Sequence, residues 1–187
     1  MNDEFTRREG VKMKQKNHRG GYLSILMLLL CGFLIGCAAM PWQTASDIPE
    51  PVSDGIYRGP RPNFDELKKV AIGTIISLED NPAVVNAERI TAAKMNIGFI
   101  NCPMSETAPP SPDSLKNIVK EIGKYRAGRV YVHCRRGIDR TGYAIAAYRI
   151  IDERWNCDRA YEEVIAHGHS SIYYYKWKAS LLALCKL

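Results

Sequence analysis

The six cysteines of this 187-residue chain include no C-x-x-C pair. That absence removes the common zinc-cage and dithiol-redox spacings. No internal repeat or low-complexity tract is present either, which excludes solenoid and array architectures. A strong excess of one charge is also missing: 26 Lys and Arg stand against 20 Asp and Glu, a net +6. Residues 1–36 hold six of those bases and three of the acids, so the remainder carries 20 against 17, or +3. So weak a balance is no footprint for nucleic acid, and any positive charge that matters must be local.

The first 36 residues differ from the rest. Lys12, Lys14, Lys16, His18 and Arg19 form a basic segment, and the run from Tyr22 to Ile35 is apolar apart from Ser24 and Gly32. A basic region, an apolar region and small residues at its exit are expected to form a signal peptide over residues 1–36. Leu34-Ile35-Gly36-Cys37 resembles a bacterial lipobox. That resemblance implies cleavage before Cys37, acylation of its thiol, and export as a membrane-anchored lipoprotein facing the periplasm. Ala38 in place of Asp favours the outer membrane. The alternative is an uncleaved single-pass anchor, for which the run is near the short end. Residues 37–51, with Pro41, Pro49 and Pro51, read as a tether. A single domain over 52–187 is long enough for a proper core.

Within that domain, strand-like and helix-like segments alternate. Gly55 to Arg58, Gly73 to Leu78, Ile97 to Cys102 and Val130 to His133 read as strands. Helices are expected from Asn63 to about Val70, from Ala83 to Met95, after a cap at Asp113 or Ser114, from Thr141 to Glu153, and over about 158–167 and 172–184. This alternation predicts an α/β fold with a mostly parallel central sheet flanked by helices. Ligands of such sheets bind beyond the carboxyl ends of strands.

Cys134 stands at such an end. The strand stops at His133, and the chain must turn and enter a helix near Thr141. A tight turn there aims successive backbone N–H groups inward, and the helix start adds positive potential. Gly137 can take positive φ. Arg140 can offer a bidentate fork to phosphate oxygens. A cysteine so placed ionises more readily than a free thiol and is expected to serve as a thiolate nucleophile.

His133, Cys134, Gly137, Arg140 and Thr141 reproduce H-C-x-x-G-x-x-R-[ST]. This resembles the signature loop of the cysteine-dependent protein tyrosine and dual-specificity phosphatases. The short domain is similar to the small dual-specificity type. Ile56-Tyr57-Arg58-Gly59-Pro60-Arg61-Pro62 and Thr74 to Leu78 resemble the family's opening. The resemblance implies that Cys134 is the nucleophile, forming a phosphocysteine, and that Arg140 binds the phosphoryl group. It further implies that His133 orients the loop and that Thr141 donates to the sulfur as it leaves. Arg135, Arg136, Gly137 and Ile138 would cradle or bind substrate, with no metal and no cofactor. Arg135 and Arg136 are either a solvated pair or a mouth favouring polyanions.

The family's usual acid, an Asp about 30 residues before the cysteine, is missing from Asn101 to Glu106. Three candidates stay open: Asp139 inside the loop, Glu106 on the loop after the third strand, and Asp113, which also fits a helix cap. The tail Asp-Arg-Thr-Gly resembles phosphatases with an acid at the position of Asp139. The implied activity is hydrolysis of phosphotyrosine, and of phosphoserine or phosphothreonine, from protein or small-ester substrates. A phosphoinositide or inositol phosphate phosphatase, a catalytically weak phosphate-binding module, and a thiol-redox or sulfur-transfer enzyme are the alternatives. Weaker features are His167-Gly168-His169, read as flanks of a helix-ending glycine rather than metal ligands, and Tyr173-Tyr174-Tyr175 with Trp177, read as packing. A regulatory disulfide between Cys102 and Cys134 is a further expectation.

Overall fold

The computed structural model describes residues 46–172 and 174–186. The expected signal peptide, Cys37, most of the tether and Tyr173 lie outside them. Five strands form one sheet: β1 Glu50–Ser53, β2 Ile56–Gly59, β3 Thr74–Ser77, β4 Gly98–Asn101 and β5 Val130–His133, in the order β1-β2-β5-β3-β4. Only β1 runs antiparallel to its neighbour; the β2–β5, β3–β5 and β3–β4 pairs are parallel. The helices are α1 Phe64–Lys69, α2 Pro82–Lys94, α3 Pro112–Tyr125, α4 Asp139–Ile151, α5 Cys157–Ala166 and α6 Trp177–Leu184. A short 3-10 turn, Arg126–Gly128, leads from α3 into β5.

Strand periodicity divides the core in two. Val130 and Val132 of β5 and Ile76 of β3 pack under α3, α4, α5 and α6. Tyr131 and Ile75 point the other way, to Leu67 of α1 and Ala92 of α2. The central helix of the first layer, α4, is buried at every residue from Asp139 through Tyr148, beyond the inward face of Ala144, Ile145, Ala147 and Tyr148 that its spacing suggests. Its small residues let neighbours approach: a Cβ on Gly142 would lie 3.3 Å from Val164 of α5.

The expected elements are present, with three corrections. Glu50 and Pro51, assigned to the tether, form the edge strand β1, where a proline is tolerated. The cap of α3 is Ser111, whose hydroxyl accepts from the Ser114 N–H at 3.1 Å; Asp113 is a first-turn residue instead. The last helix begins at Trp177 rather than Ile172, which is 85% exposed in the preceding turn. Gly168 closes α5 as expected. It has φ +89°, its N–H donates to Ile165 O, and the next N–H, of His169, donates to Val164 O. That pair of bonds is a Schellman ending.

One covalent tie was not foreseen. Cys157 at the start of α5 is disulfide-bonded to Cys185 just past α6. Cys102 and Cys134 are free, and the disulfide expected between them does not form. The strand order gives the reason. β3 separates β4 from β5, so the two chain positions are two strand spacings apart, roughly 9–10 Å. A disulfide needs Cα atoms within about 7 Å.

Candidate active site

Parallel register brings three strand ends level: Gly59 and Ser77 both sit opposite His133. The loops after β2, β3, β4 and β5 therefore meet at one edge of the sheet, with Cys134 in the middle. Cys134 is 4% exposed. Behind it the chain turns through Gly137, at φ +72°, into α4. A Cβ at Gly137 would lie 2.6 Å from Gly59 O, so only glycine lets the loop approach β2 this closely.

The start of α4 differs from those of α1, α2, α3 and α5. Asn63, Asn81, Ser111 and Asn156 cap α1, α2, α3 and α5 through their side chains. Ile138 stands at that place in α4 and cannot do so. The first-turn N–H groups of α4 thus keep their bonding capacity for a ligand, at the positive end of the helix.

Arg140 lies on this turn, 3% exposed. Its four hydrogen bonds all leave from Nη1, to Leu78 O (3.3 Å), Glu79 Oε1 (3.4 Å), Asp80 Oδ1 (2.9 Å) and Met104 O (3.2 Å). Nε and Nη2 make none among the described residues. One corner of the guanidinium is anchored and the remaining edge is available for an anion. Asn101 Nδ2 stiffens the anchoring turn by donating to Ser77 O and Glu79 O.

His133 is fully buried, stacked on Tyr131, with Nδ1 3.3 Å from the Cys134 carbonyl. Burial pushes its imidazole down to about 4. Nε2 lies 3.6 Å from Glu88 Oε2; with a neutral ring this contact is not an ion pair. Burial raises Glu88 above the usual carboxylate range, against the opposing bond from Ser77 Oγ and the charge of Arg61. Arg61 joins Glu88 and Glu79 at 3.2 and 2.9 Å, linking the supports of His133 and Arg140. Thr141 is fully buried, yet its hydroxyl makes no hydrogen bond among the described residues. Its expected role, donating to the Cys134 sulfur as that sulfur leaves, belongs to the hydrolysis step.

The pocket over Cys134 is walled by Glu106, Arg135, Arg136, Asp139, Arg140 and Tyr174. Both rim arginines are paired: Arg135 with Glu106, and Arg136 with Asp139 at 2.7 Å. They are neither a free solvated pair nor a naked cationic mouth. Of the three acid candidates, Asp139 and Glu106 reach the pocket. Asp113 does not; its side chain is 87% exposed and pairs with Lys116. Gly137 and Ile138 also line a second cleft, with Arg58, Glu50 and His167; toward the Cys134 pocket they offer backbone rather than side chain. His167 pairs with Glu50 at 3.0 Å and His169 with Asp139 at 2.8 Å; the two histidines serve different partners.

Arg58, Arg61, Glu79, Asp80 and Glu88 were not singled out from sequence, and His169 and Tyr174 were read only as a helix-end flank and as packing. Arg58 and Arg61 lie inside the Tyr-Arg-Gly-Pro-Arg stretch, and Tyr174 inside the tyrosine triplet, so the motifs were visible and the roles were not.

A buried cysteine under an uncapped helix start, an anchored arginine and a parallel sheet edge are the parts of a small dual-specificity-phosphatase-like fold. The chain belongs to the family described as "Polymorphic toxin system, DSP-PTPase phosphatase", whose model matches residues 55–153. It is 32% identical over 124 residues to the inositol diphosphatase DSP3 of Arabidopsis thaliana, covering 60% of this chain and 58% of that protein. It is 24% identical over 120 residues to the dual specificity protein phosphatase TpbA of Pseudomonas aeruginosa, covering 63% and 53%. The chain thus spans less than two thirds of the length of these relatives. Among solved structures, Tk-PTP in its active form superposes with a TM-score of 0.58 at 21% identity, over 76% of this chain and 95% of that one. TpbA in complex with phosphotyrosine gives 0.57 at 17% identity, over 79% and 100%.

Proposed function

We propose that this protein hydrolyses phosphate monoesters through a phosphocysteine. The observation that carries this is the pairing of buried Cys134 with an Arg140 held by one corner. A phosphoryl group bound by the Nε/Nη2 edge and the first-turn N–H groups of α4 has its phosphorus above the sulfur. Cys134 Sγ attacks, the P–S bond forms and the P–O bond to the leaving group breaks. Asp139 gives its proton to the departing oxygen. Water then attacks the phosphocysteine, returns a proton to Asp139 and frees the thiolate. Arg140 and the N–H groups stabilise the charge on the equatorial oxygens in both steps. His133 orients the loop through the Cys134 carbonyl.

The test is turnover of an aryl phosphate by wild type and by Cys134→Ser, with rapid acid quench to trap phosphocysteine. Residual turnover in Cys134→Ser, or no trapped adduct, sinks the proposal.

The substrate class has two readings. The complex of TpbA with phosphotyrosine supports a phosphotyrosine ester. The 32% identity to an inositol diphosphatase supports an inositol phosphate. A panel of phosphopeptides and inositol phosphates, blanked with Cys134→Ser, separates them. Export and anchoring through acylated Cys37 are proposed from the sequence alone. Incorporation of a labelled fatty acid that disappears in Cys37→Ser tests this, and retention of label in the variant overturns it.

A further inference from the structure

Both oxygens of the Asp139 carboxylate are engaged. Oδ2 accepts from Arg136 Nη2 at 2.7 Å, on the pocket side. Oδ1 lies 2.8 Å from Nδ1 of His169, thirty residues further along the chain. The His169 side chain is fully buried, and its other nitrogen, Nε2, lies 3.4 Å from the Tyr143 hydroxyl on α4. The ring is stacked on Tyr174 at 5.4 Å and meets Tyr143 edge-on at 5.1 Å. The positive φ of Gly168 is what turns the chain back so that His169 enters between α4 and α5.

A histidine present only for packing has no need to place one nitrogen on a pocket carboxylate and the other on a hydroxyl. With both ends taken, the ring is held against rotation. The Asp139 carboxylate can only accept, so the ring proton sits on Nδ1, facing Oδ1, and Nε2 meets the Tyr143 hydroxyl.

We infer that His169 is the positioning residue of the proton donor: its Nδ1–H holds Asp139 Oδ1, so that Oδ2 is the oxygen that exchanges the proton with the leaving group. When the bound phosphoryl group draws Arg136 away from Oδ2, that oxygen takes up a proton from water, and this proton passes to the departing oxygen as the P–O bond breaks. The water that cleaves phosphocysteine restores it. His169 keeps its own proton throughout and needs no co-reactant. The inference rests on the phosphatase reading and on Asp139 as donor.

Leaving groups report on this directly. 4-Nitrophenolate departs without much help, whereas unsubstituted phenolate requires the proton. His169→Phe keeps the aromatic cluster and removes the Nδ1–H. Its kcat on phenyl phosphate is expected to fall by about tenfold or more, with 4-nitrophenyl phosphate changed by less than about threefold. His169→Asn, whose amide N–H can stand in for Nδ1–H, is expected to recover most of the phenyl-to-nitrophenyl ratio. Equal losses on both esters, or no loss on either, overturn the inference. If His169→Phe fails to fold, Tyr143→Phe takes its place: the same selective loss supports the inference, and an unchanged ratio overturns it. Absence of turnover in wild type, or turnover surviving Cys134→Ser, overturns the phosphatase reading and this inference with it. Turnover that needs Cys134 but ignores His169 overturns the inference alone.

Discussion

The guanidinium of Arg58, buried in β2, donates through Nη2 to the carbonyl of Gly137, 3.0 Å away in the loop behind Cys134. Seventy-nine residues separate the two in sequence. No carboxylate lies within ion-pair distance of Arg58 among the described residues, and burial lowers its pKa against the opposing charges of Glu50, Glu163 and Cys134. A buried cation without a close partner adds little net stability. What it supplies is the position of Gly137.

Arg58→Met should therefore separate folding from activity. The loss of a charge-assisted bond to a buried carbonyl costs about 1.5–3 kcal/mol. Relief of the buried charge offsets much of that. An unfolding free energy within about 1 kcal/mol of wild type is expected from urea titration, with kcat at least about tenfold lower because the loop loses its pin. Unfolding by several kcal/mol, or full activity, contradicts this account.

The acid can be assigned by three amides. Asp139→Asn should lower kcat on phenyl phosphate by about 10²–10⁴-fold. Glu106→Gln should cost far less, since Glu106 forms a half-exposed rim pair with Arg135 worth about 0–1 kcal/mol. Asp113→Asn should leave kcat unchanged, because that side chain faces solvent away from the pocket. A larger loss in Glu106→Gln than in Asp139→Asn reverses the assignment.

The central part of this site was legible because its parts are contiguous. His133 through Thr141 lie on one strand, turn and helix, so spacing alone places them. Glu106 was also well placed, because the loop after β4 must share the edge of Cys134. The supports were hidden because they come together only through sheet order. Glu79 and Asp80 read as a polar turn, and nothing local aims them at Arg140. His169 reaches Asp139 through a Schellman turn thirty residues away. Cys157 and Cys185 are 28 residues apart, a separation that names no partner. Asp113 was misread despite an available signal: Ser111 precedes Pro112, and proline favours the first helical position after a cap. β1 was missed because Pro51 looks like linker, although an edge strand tolerates it.

His133 should make the fold acid-sensitive. Its folded pKa of about 4 lies below its ordinary 6.5. Between these values the unfolded chain binds a proton that the native state refuses, so stability falls as pH drops from about 6.5 to 4 and levels off below. The loss amounts to about 3 kcal/mol. Glu88, raised by burial, works in the opposite sense: its contribution is present at low pH and fades as pH rises above its ordinary 4.5. Comparison of wild type with His133→Gln isolates the histidine. Urea midpoints measured from pH 4 to 7.5 should slope less steeply below 6.5 in the variant. Identical slopes rule out His133 as the source.

The disulfide makes the last prediction, because the loop it closes contains part of the active-site wall. The bond from Cys157 to Cys185 spans 28 residues. That loop carries Gly168, His169, Tyr174 and Trp177, which is 1% exposed in the core. By chain entropy alone, cross-linking a loop of this length stabilises the fold by about 3.5 kcal/mol. Replacing both cysteines by alanine should lower the urea midpoint accordingly. It should also lower kcat on phenyl phosphate more than on 4-nitrophenyl phosphate, as the His169 support of Asp139 loosens. Cys134 remains intact in that variant, so lost activity cannot be assigned to the nucleophile. Most cysteine-dependent hydrolysis is protected by reductant, since the thiolate must stay reduced. Here strong reductant that opens the Cys157–Cys185 bond should instead depress turnover and melting temperature together. An alanine double variant with wild-type midpoint and wild-type ester selectivity defeats this prediction.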